Sequence, residues 1–237
     1  MMTGENKNFT AEILRVKNSY EKRKSLKIDL YDPASAYMCM IRQEKERTLI
    51  KLFKENNLFP LNNKTLLEIG CGNGSNLLQL IQLGFAPANL QGNELLPERI
   101  KDASEKLPSS VHLIAGNALD LNFPAESFDI VYQSMVFSSI LDKSFQEELA
   151  KKMWQLVKPG GGILWYDFIY NNPQNEDVNG ISFARLKELF GLHHIKKYKI
   201  TLAPPLSRAV TKLHPALYTV FNSIPLLRTH ILCWIMK

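Results

Sequence analysis

Long apolar runs are missing from this 237-residue chain. No stretch approaches the roughly 18 residues that cross a bilayer, and the N-terminal MMTGENKNFTAEILRVKNSYEKRK has no apolar core of signal-peptide length. A soluble, cytoplasmic protein is expected. Cysteine is scarce too. Cys39, Cys71 and Cys233 lie far apart, form no C-x-x-C and leave an odd thiol, which excludes a disulfide framework and a cysteine-based zinc site. Neither an internal repeat nor a low-complexity segment is present, so solenoids and flexible linkers are excluded. The formal net charge of +6 permits an anionic partner without requiring one. The basic clusters YEKRKSLK and IKKYK are short and read as solvated faces.

What is there is an alternation of strand and helix patterns with short connections. Residues 1 to about 30 are polar and weakly periodic, an arm or a surface helix, and a helical stripe of Met38, Ile41, Leu49, Leu52 and Phe53 follows from Ser35 to about Asn56. TLLEIG reads as a first strand, with a helix behind it that stops at Gly84. Asn89 to Leu95 is a second strand, and Pro97 suits the first position of the next helix. Val111 to Asn117 and Ser127 to Gln133 are strands three and four. Ser144 to Glu147 has the form of a capping box, its helix ends at KPGGG, and Ile163 to Phe168 is strand five. This order predicts an α/β fold with a mainly parallel sheet and helices on both faces, because parallel neighbours need crossovers. Ligands of such sheets bind beyond the carboxyl ends of the strands, which puts the Gly70 turn, Glu94, Asn117, Gln133 and Asp167 on one rim.

The turn LLEIGCGNGSN carries glycines at 70, 72 and 74 but serine at 75, so the G-x-G-x-x-G fingerprint of dinucleotide binding is broken. Glycine there lets backbone approach a ligand closely. The carboxylate of Glu68, two residues ahead, discourages a pyrophosphate and suits an ammonium group. Glu94, ending strand two, is placed to accept from two ribose hydroxyls and to reject a 2′-phosphate. Asn117, after strand three, offers an amide to a base edge.

Together, LLEIGCGNG, GNELLPERI, GNALDLNFP, FDIVYQSMVFSSI and KPGGGILWYDF resemble the successive motifs of the class I S-adenosylmethionine-dependent methyltransferases, over about 105 residues from Leu66 to Phe168. That resemblance implies a Rossmann-like sheet of seven strands whose last strand is antiparallel and inserted between the fifth and sixth. Strand six then falls on His193 to Pro205, a helix on PALYTVFNSI and strand seven on Thr229 to Lys237. Residues 1–60 become an arm and a lid helix, with Tyr31, Tyr37 and Arg42 closing over the cofactor. Residues 61–237 become the methyltransferase domain, with a motif core over 66–168 and a substrate wall over 169–237. S-adenosyl-L-methionine is the implied cofactor. Glu68, Gly70, Cys71 and Gly72 would surround its methionine part, Glu94 would hold the ribose, Leu95 would cover the adenine, Asn117 and Ala118 would border the base, and Gln133 with Ser134 would lie near the transferred methyl. Asn117 stands where many members have Asp, and Cys71 reads as a packing residue.

The tail resembles a bacterial subgroup associated with surface-polysaccharide and other sugar-modifying gene clusters, so the expected acceptor is a hydroxyl of a sugar or glycan precursor. Tyr166, Tyr170, Arg185 and Arg208 are the candidate acceptor contacts, and Asp167 or His214 the candidate general base that a hydroxyl needs. No metal site is expected. The N-P-P-Y arrangement used on exocyclic base amines is missing after strand four. An RNA acceptor would require a basic patch beside the cofactor mouth, a non-catalytic cofactor-binding partner subunit would have no need of an intact turn and Glu94, and a nicotinamide reductase is disfavoured by Ser75. Membrane contact through 217–236 would be peripheral at most, since Pro225, Arg228 and His230 interrupt any single amphipathic helix.

Overall fold

The computed structural model describes residues 9–25, 32–173, 175–191 and 193–237. Its elements run α1 (Thr10–Ser25), α2 (Ala36–Glu55), β1 (Leu66–Ile69), α3 (Ser75–Gln82), β2 (Leu90–Glu94), α4 (Pro97–Lys106), β3 (His112–Ala115) and β4 (Phe128–Ser134), then α5 (Lys143–Leu156), β5 (Val157–Phe168), α6 (Phe183–Phe190), β6 (Ile195–Leu202), α7 (Pro204–Leu213), α8 (Ala216–Asn222) and β7 (Arg228–Met236). The seven strands form one sheet in the order β3-β2-β1-β4-β5-β7-β6. The pairs among β1 to β5 are parallel, and β7 runs antiparallel between β5 and β6, as expected.

Side chains alternate between two cores because successive strand residues point to opposite faces. Leu67, Ile69, Val131, Ile163 and Trp165 meet α5 and α6 on one face. Leu66, Ile130, Tyr132, Leu164 and Trp234 meet α2, α3 and α4 on the other. The run ILCWI of β7 is buried throughout, as a strand covered on both faces requires.

Three boundaries differ from expectation. Strand β5 begins at Val157 and passes through the Pro-Gly-Gly-Gly stretch instead of being preceded by it. The reason is close packing: a Cβ on Gly162 would sit 2.5 Å from Trp234 Cζ2, so only glycine lets β7 lie alongside. Helix α5 is capped by Asp142, whose Oδ1 accepts from the N–H groups of Ser144 and Phe145, so no capping box forms around Ser144. Helix α7 starts on the prolines assigned to strand six, because their fixed φ and missing N–H suit a first turn.

The lid is also reassigned. The stripe Leu49, Leu52 and Phe53 of α2 is consumed by the second core, Tyr37 is buried beneath the Arg208 guanidinium, and Arg42 points to solvent. Tyr31 lies outside the described residues. Helix α1 does the covering instead.

Candidate functional site

A cavity of about 250 Å³ opens at the carboxyl ends of β1, β2 and β4, roofed on one side by α1. The turn after β1 contributes Gly70, Cys71 and Gly72; the end of β2 contributes Glu94 and Leu95; Asn117 and Ala118 come from the loop after β3, and Ser134 from β4. Eight of the ten residues assigned to the cofactor therefore converge. Gly70 and Gly72 have φ of 66° and 57°, a region costly for residues bearing a Cβ. A Cβ on Gly70 would meet Val136 Cγ2 at 2.5 Å, and one on Gly72 would meet Arg99 Nη2 at 2.6 Å.

Glu94 is almost fully buried and its two oxygens are held separately. Oε2 accepts from Gly72 N–H at 2.9 Å and Oε1 from Leu96 N–H at 3.0 Å, with Arg99 Nη1 3.8 Å away. A carboxylate offers about four lone-pair sites, so each oxygen keeps capacity for a ligand hydroxyl. Asn117 turns its oxygen to Leu119 N–H at 3.2 Å, capping the short turn Ala118–Asp120. That bond leaves its amide nitrogen unused by the cap. Cys71 packs against Gly92, and burial beside Glu68 and Glu94 pushes its thiol far above the ordinary range. A thiolate nucleophile is not available there.

Glu68 and Gln133 lie behind the cavity wall. Glu68 Oε1 accepts from Asn76 Nδ2 at 2.6 Å, and Asn76 Oδ1 accepts from Lys45 Nζ at 2.8 Å, so α2 reaches the cavity-lining Asn76 through a buried chain. Burial lifts the Glu68 carboxyl and lowers the Lys45 ammonium, and their mutual attraction opposes both shifts. Glu68 Oε2 is buried without a partner. Gln133 is folded back onto the sheet, accepting from Val136 N–H at 3.0 Å and donating to the Tyr166 carbonyl at 3.4 Å.

The acceptor candidates do not converge. Asp167 is fully buried outside the cavity lining, where Oδ2 accepts from Ser138 N–H at 3.2 Å and Oδ1 from Phe168 N–H at 3.0 Å. It fixes the turn after β4, whose neighbours Val136 and Ser139 do line the cavity. His214 is exposed and its Nδ1 accepts from Ala216 N–H at the start of α8. Tyr166 is buried on the second face, its hydroxyl bonded to Thr201 and its ring stacked on His230. Tyr170 is exposed and meets Lys199. Arg185 joins α6 to α5 through Gln146, Glu147 and the Lys143 carbonyl, and Arg208 lies over Tyr37. These side chains sit on opposite faces of the sheet, so a wall built from all of them is ruled out by the fold.

Burial raises Asp167 to about 7 from the usual range near 4. The folded chain therefore binds this proton more readily than the unfolded chain. The resulting stabilisation is complete below about pH 4 and is lost as pH rises through about 7. Asp167→Asn is expected to flatten the pH dependence of urea unfolding between pH 4 and 7 by about 1 kcal/mol or more, the worth of a one-unit shift. Identical slopes would show that Asp167 titrates alike in both states.

Residues of α1 were not anticipated as cavity walls. Ile13, Val16 and Tyr20 line it, and Glu12 accepts from the Leu141 and Asp142 N–H groups while Arg15 donates to the Ser139 and Asp177 carbonyls. The spacing of 13, 16 and 20 is a helical stripe that could have marked this face. Val136, Ile140, Phe145 and Leu149 complete an apolar side.

Residues 66–161 match a family described as a methyltransferase domain. A sterol 24-C-methyltransferase of Pneumocystis carinii is 27% identical over 117 residues, 48% of this chain and 30% of that protein. A demethylmenaquinone methyltransferase of Listeria welshimeri is 26% identical over 139 residues, 56% of this chain and 58% of that protein. The chain thus spans less than two thirds of the length of these relatives. Among solved structures, a putative sarcosine dimethylglycine methyltransferase from Galdieria sulphuraria aligns with a TM-score of 0.62 at 12% identity, covering 94% of this chain and 98% of that one, a likeness of fold. The family match begins on the first residue of β1 and ends inside β5, and so takes in every strand that borders the cavity: residues 66–161 carry a methyltransferase domain, set in a sheet of the Rossmann-like methyltransferase fold.

Proposed function

We propose that the chain transfers a methyl group from S-adenosyl-L-methionine to a small-molecule acceptor admitted beneath α1. The observation that carries this reading is Glu94, a buried carboxylate oriented by two backbone N–H groups beside a glycine cradle that a Cβ would fill. The unpartnered Glu68 Oε2 behind Asn76 fits a ligand ammonium group. When bound, the cofactor supplies an electrophilic methyl on a sulfonium centre. The protein's task is then alignment and exclusion of water. Glu94 orients the ribose, Leu95 and Ala118 flank the base, and Val136, Ile140 and Phe145 keep the reacting end dry. Calorimetry with S-adenosyl-L-methionine, S-adenosylhomocysteine and NADH tests the assignment, and binding of NADH alone would overturn it.

Among the described residues lining the cavity, the carboxylates are Glu12 and Glu94, and both are already held by N–H donors. That supports an acceptor with an apolar body whose reacting atom needs no strong base. The names of the relatives, a sterol and a demethylmenaquinone enzyme, are consistent with this. A hydroxyl of a sugar or glycan precursor is the second reading, favoured by the tail's resemblance. A screen of both acceptor classes with labelled methyl donor separates them.

Arg15→Ala is expected to raise the KM for cofactor or acceptor about three- to tenfold, because it releases two carbonyl contacts that hold α1 over the cavity. Unchanged steady-state kinetics would show that α1 is no part of the closed site.

A further inference from the structure

The segment 203–227 is inserted between β6 and β7 at the same rim of the sheet as the cavity, since β7 starts opposite the carboxyl end of β5. It is built around a small core of Leu202, Val210 and Tyr218, against which Leu206, Leu217, Phe221 and Leu227 pack. Its outward side is not polar. Leu213 is 81% exposed, Val220 61%, Ile224 46% and Leu226 84%, so four of the eight large apolar side chains exposed among the described residues fall within these fourteen positions. Val220 lies two residues from the inward Tyr218, and at 3.6 residues per turn the two point to opposite sides of α8. The two cores described above leave these four side chains unused.

The charged side chains that the cap segment itself carries have one sign. The segment 203–227 contains no Asp or Glu against Arg208 and Lys212, Arg228 follows it directly, and Lys212 is exposed beside Leu213; the carboxylate that touches α8, Glu44, is buried and held by three donors. Protruding apolar side chains on an acid-free cationic segment match the two attractions that hold a peripheral protein on an anionic bilayer, insertion into the acyl boundary and attraction to the headgroups. Surface leucines more than four-fifths exposed contribute little to a monomer's own stability, and exposed large apolar side chains gathered in one short segment suit a contact surface.

We propose that the cap formed by Leu213, Val220, Ile224 and Leu226 docks the protein on the surface of an anionic lipid bilayer, with no segment crossing it. The docking does not depend on which acceptor is methylated. Sedimentation of the full chain with vesicles of phosphatidylcholine alone, or of phosphatidylcholine with about one third phosphatidylglycerol, tests it. The expected result is binding to the mixed vesicles, weakened by raised salt and reduced at least fivefold by the double substitution Leu213→Glu and Leu226→Glu, with an unchanged thermal melt because both positions face solvent. Three results would overturn the proposal: a wild-type chain that stays in the supernatant with both vesicles, a double variant that sediments as wild type does, or a wild-type dimer in light scattering that the double substitution converts to monomer, which would assign the cap to a second copy.

Discussion

Glu94→Ala is expected to weaken S-adenosyl-L-methionine binding by about 2–3 kcal/mol, a 30- to 150-fold rise in Kd by calorimetry. Two losses combine. The ribose hydroxyls forfeit charge-assisted hydrogen bonds, worth roughly twice neutral ones. The N–H groups of Gly72 and Leu96 lose their acceptor, so the cradle that carries the glycine turn is loosened at the same time. Glu94→Gln separates the two contributions. One amide oxygen still accepts from one backbone donor, and the expected loss is about tenfold. The variant should remain folded, because the Cys71 N–H to Asn93 carbonyl bond at 2.8 Å still pins the turn to β2. An unchanged affinity in a folded Glu94→Ala protein would show that the ribose is held elsewhere.

A second large effect is expected at a residue outside the cavity lining. Glu44 on α2 is buried, and it accepts from Thr201 N–H at 3.1 Å, the Tyr218 hydroxyl at 2.6 Å and Asn222 Nδ2 at 2.6 Å. One carboxylate thereby joins α2 to the end of β6 and to α8. Thr201 has φ of 67°, a strained conformation for a β-branched residue, which persists because its N–H is captured. Glu44→Ala would leave two buried donors, the Thr201 N–H and the Tyr218 hydroxyl, and the half-buried Asn222 amide without an acceptor. At about 1–3 kcal/mol for each unsatisfied group, a loss of at least about 3 kcal/mol is expected in urea unfolding. Glu44→Gln, which keeps an acceptor for the Tyr218 hydroxyl, should recover about half. A loss under about 1 kcal/mol for the alanine variant would mean that water or a neighbouring group satisfies the three donors.

These two glutamates differ in how far the sequence betrays them. Glu94 stands at the end of a strand pattern, 20 residues past Gly74, and both of its backbone partners lie on loops that the same local pattern predicts. The site built from such residues was legible: the glycine turn, Glu94, Leu95, Asn117, Ala118 and Ser134 all meet in one cavity. Glu44 reads only as a charge between apolar stripe positions, because its partners are 157, 174 and 178 residues away. Asp167 illustrates the same limit from the other side. A carboxylate on the functional rim is the natural candidate for a base, yet its side chain turns beneath the turn after β4 and fixes backbone there.

The sequence alone determined the order of strands and helices from β1 to β5, the parallel character of that part of the sheet and the chemistry of its rim, because periodicity and turn residues act over a few positions. Only the tertiary structure decided that α1 and not α2 roofs the cavity, that the tail's polar side chains fall on opposite faces, and that the α7–α8 segment turns leucines outward. Those outcomes depend on which face each element buries against a partner distant in the chain, and a helix with two usable faces reveals its choice only when the sheet it packs on exists.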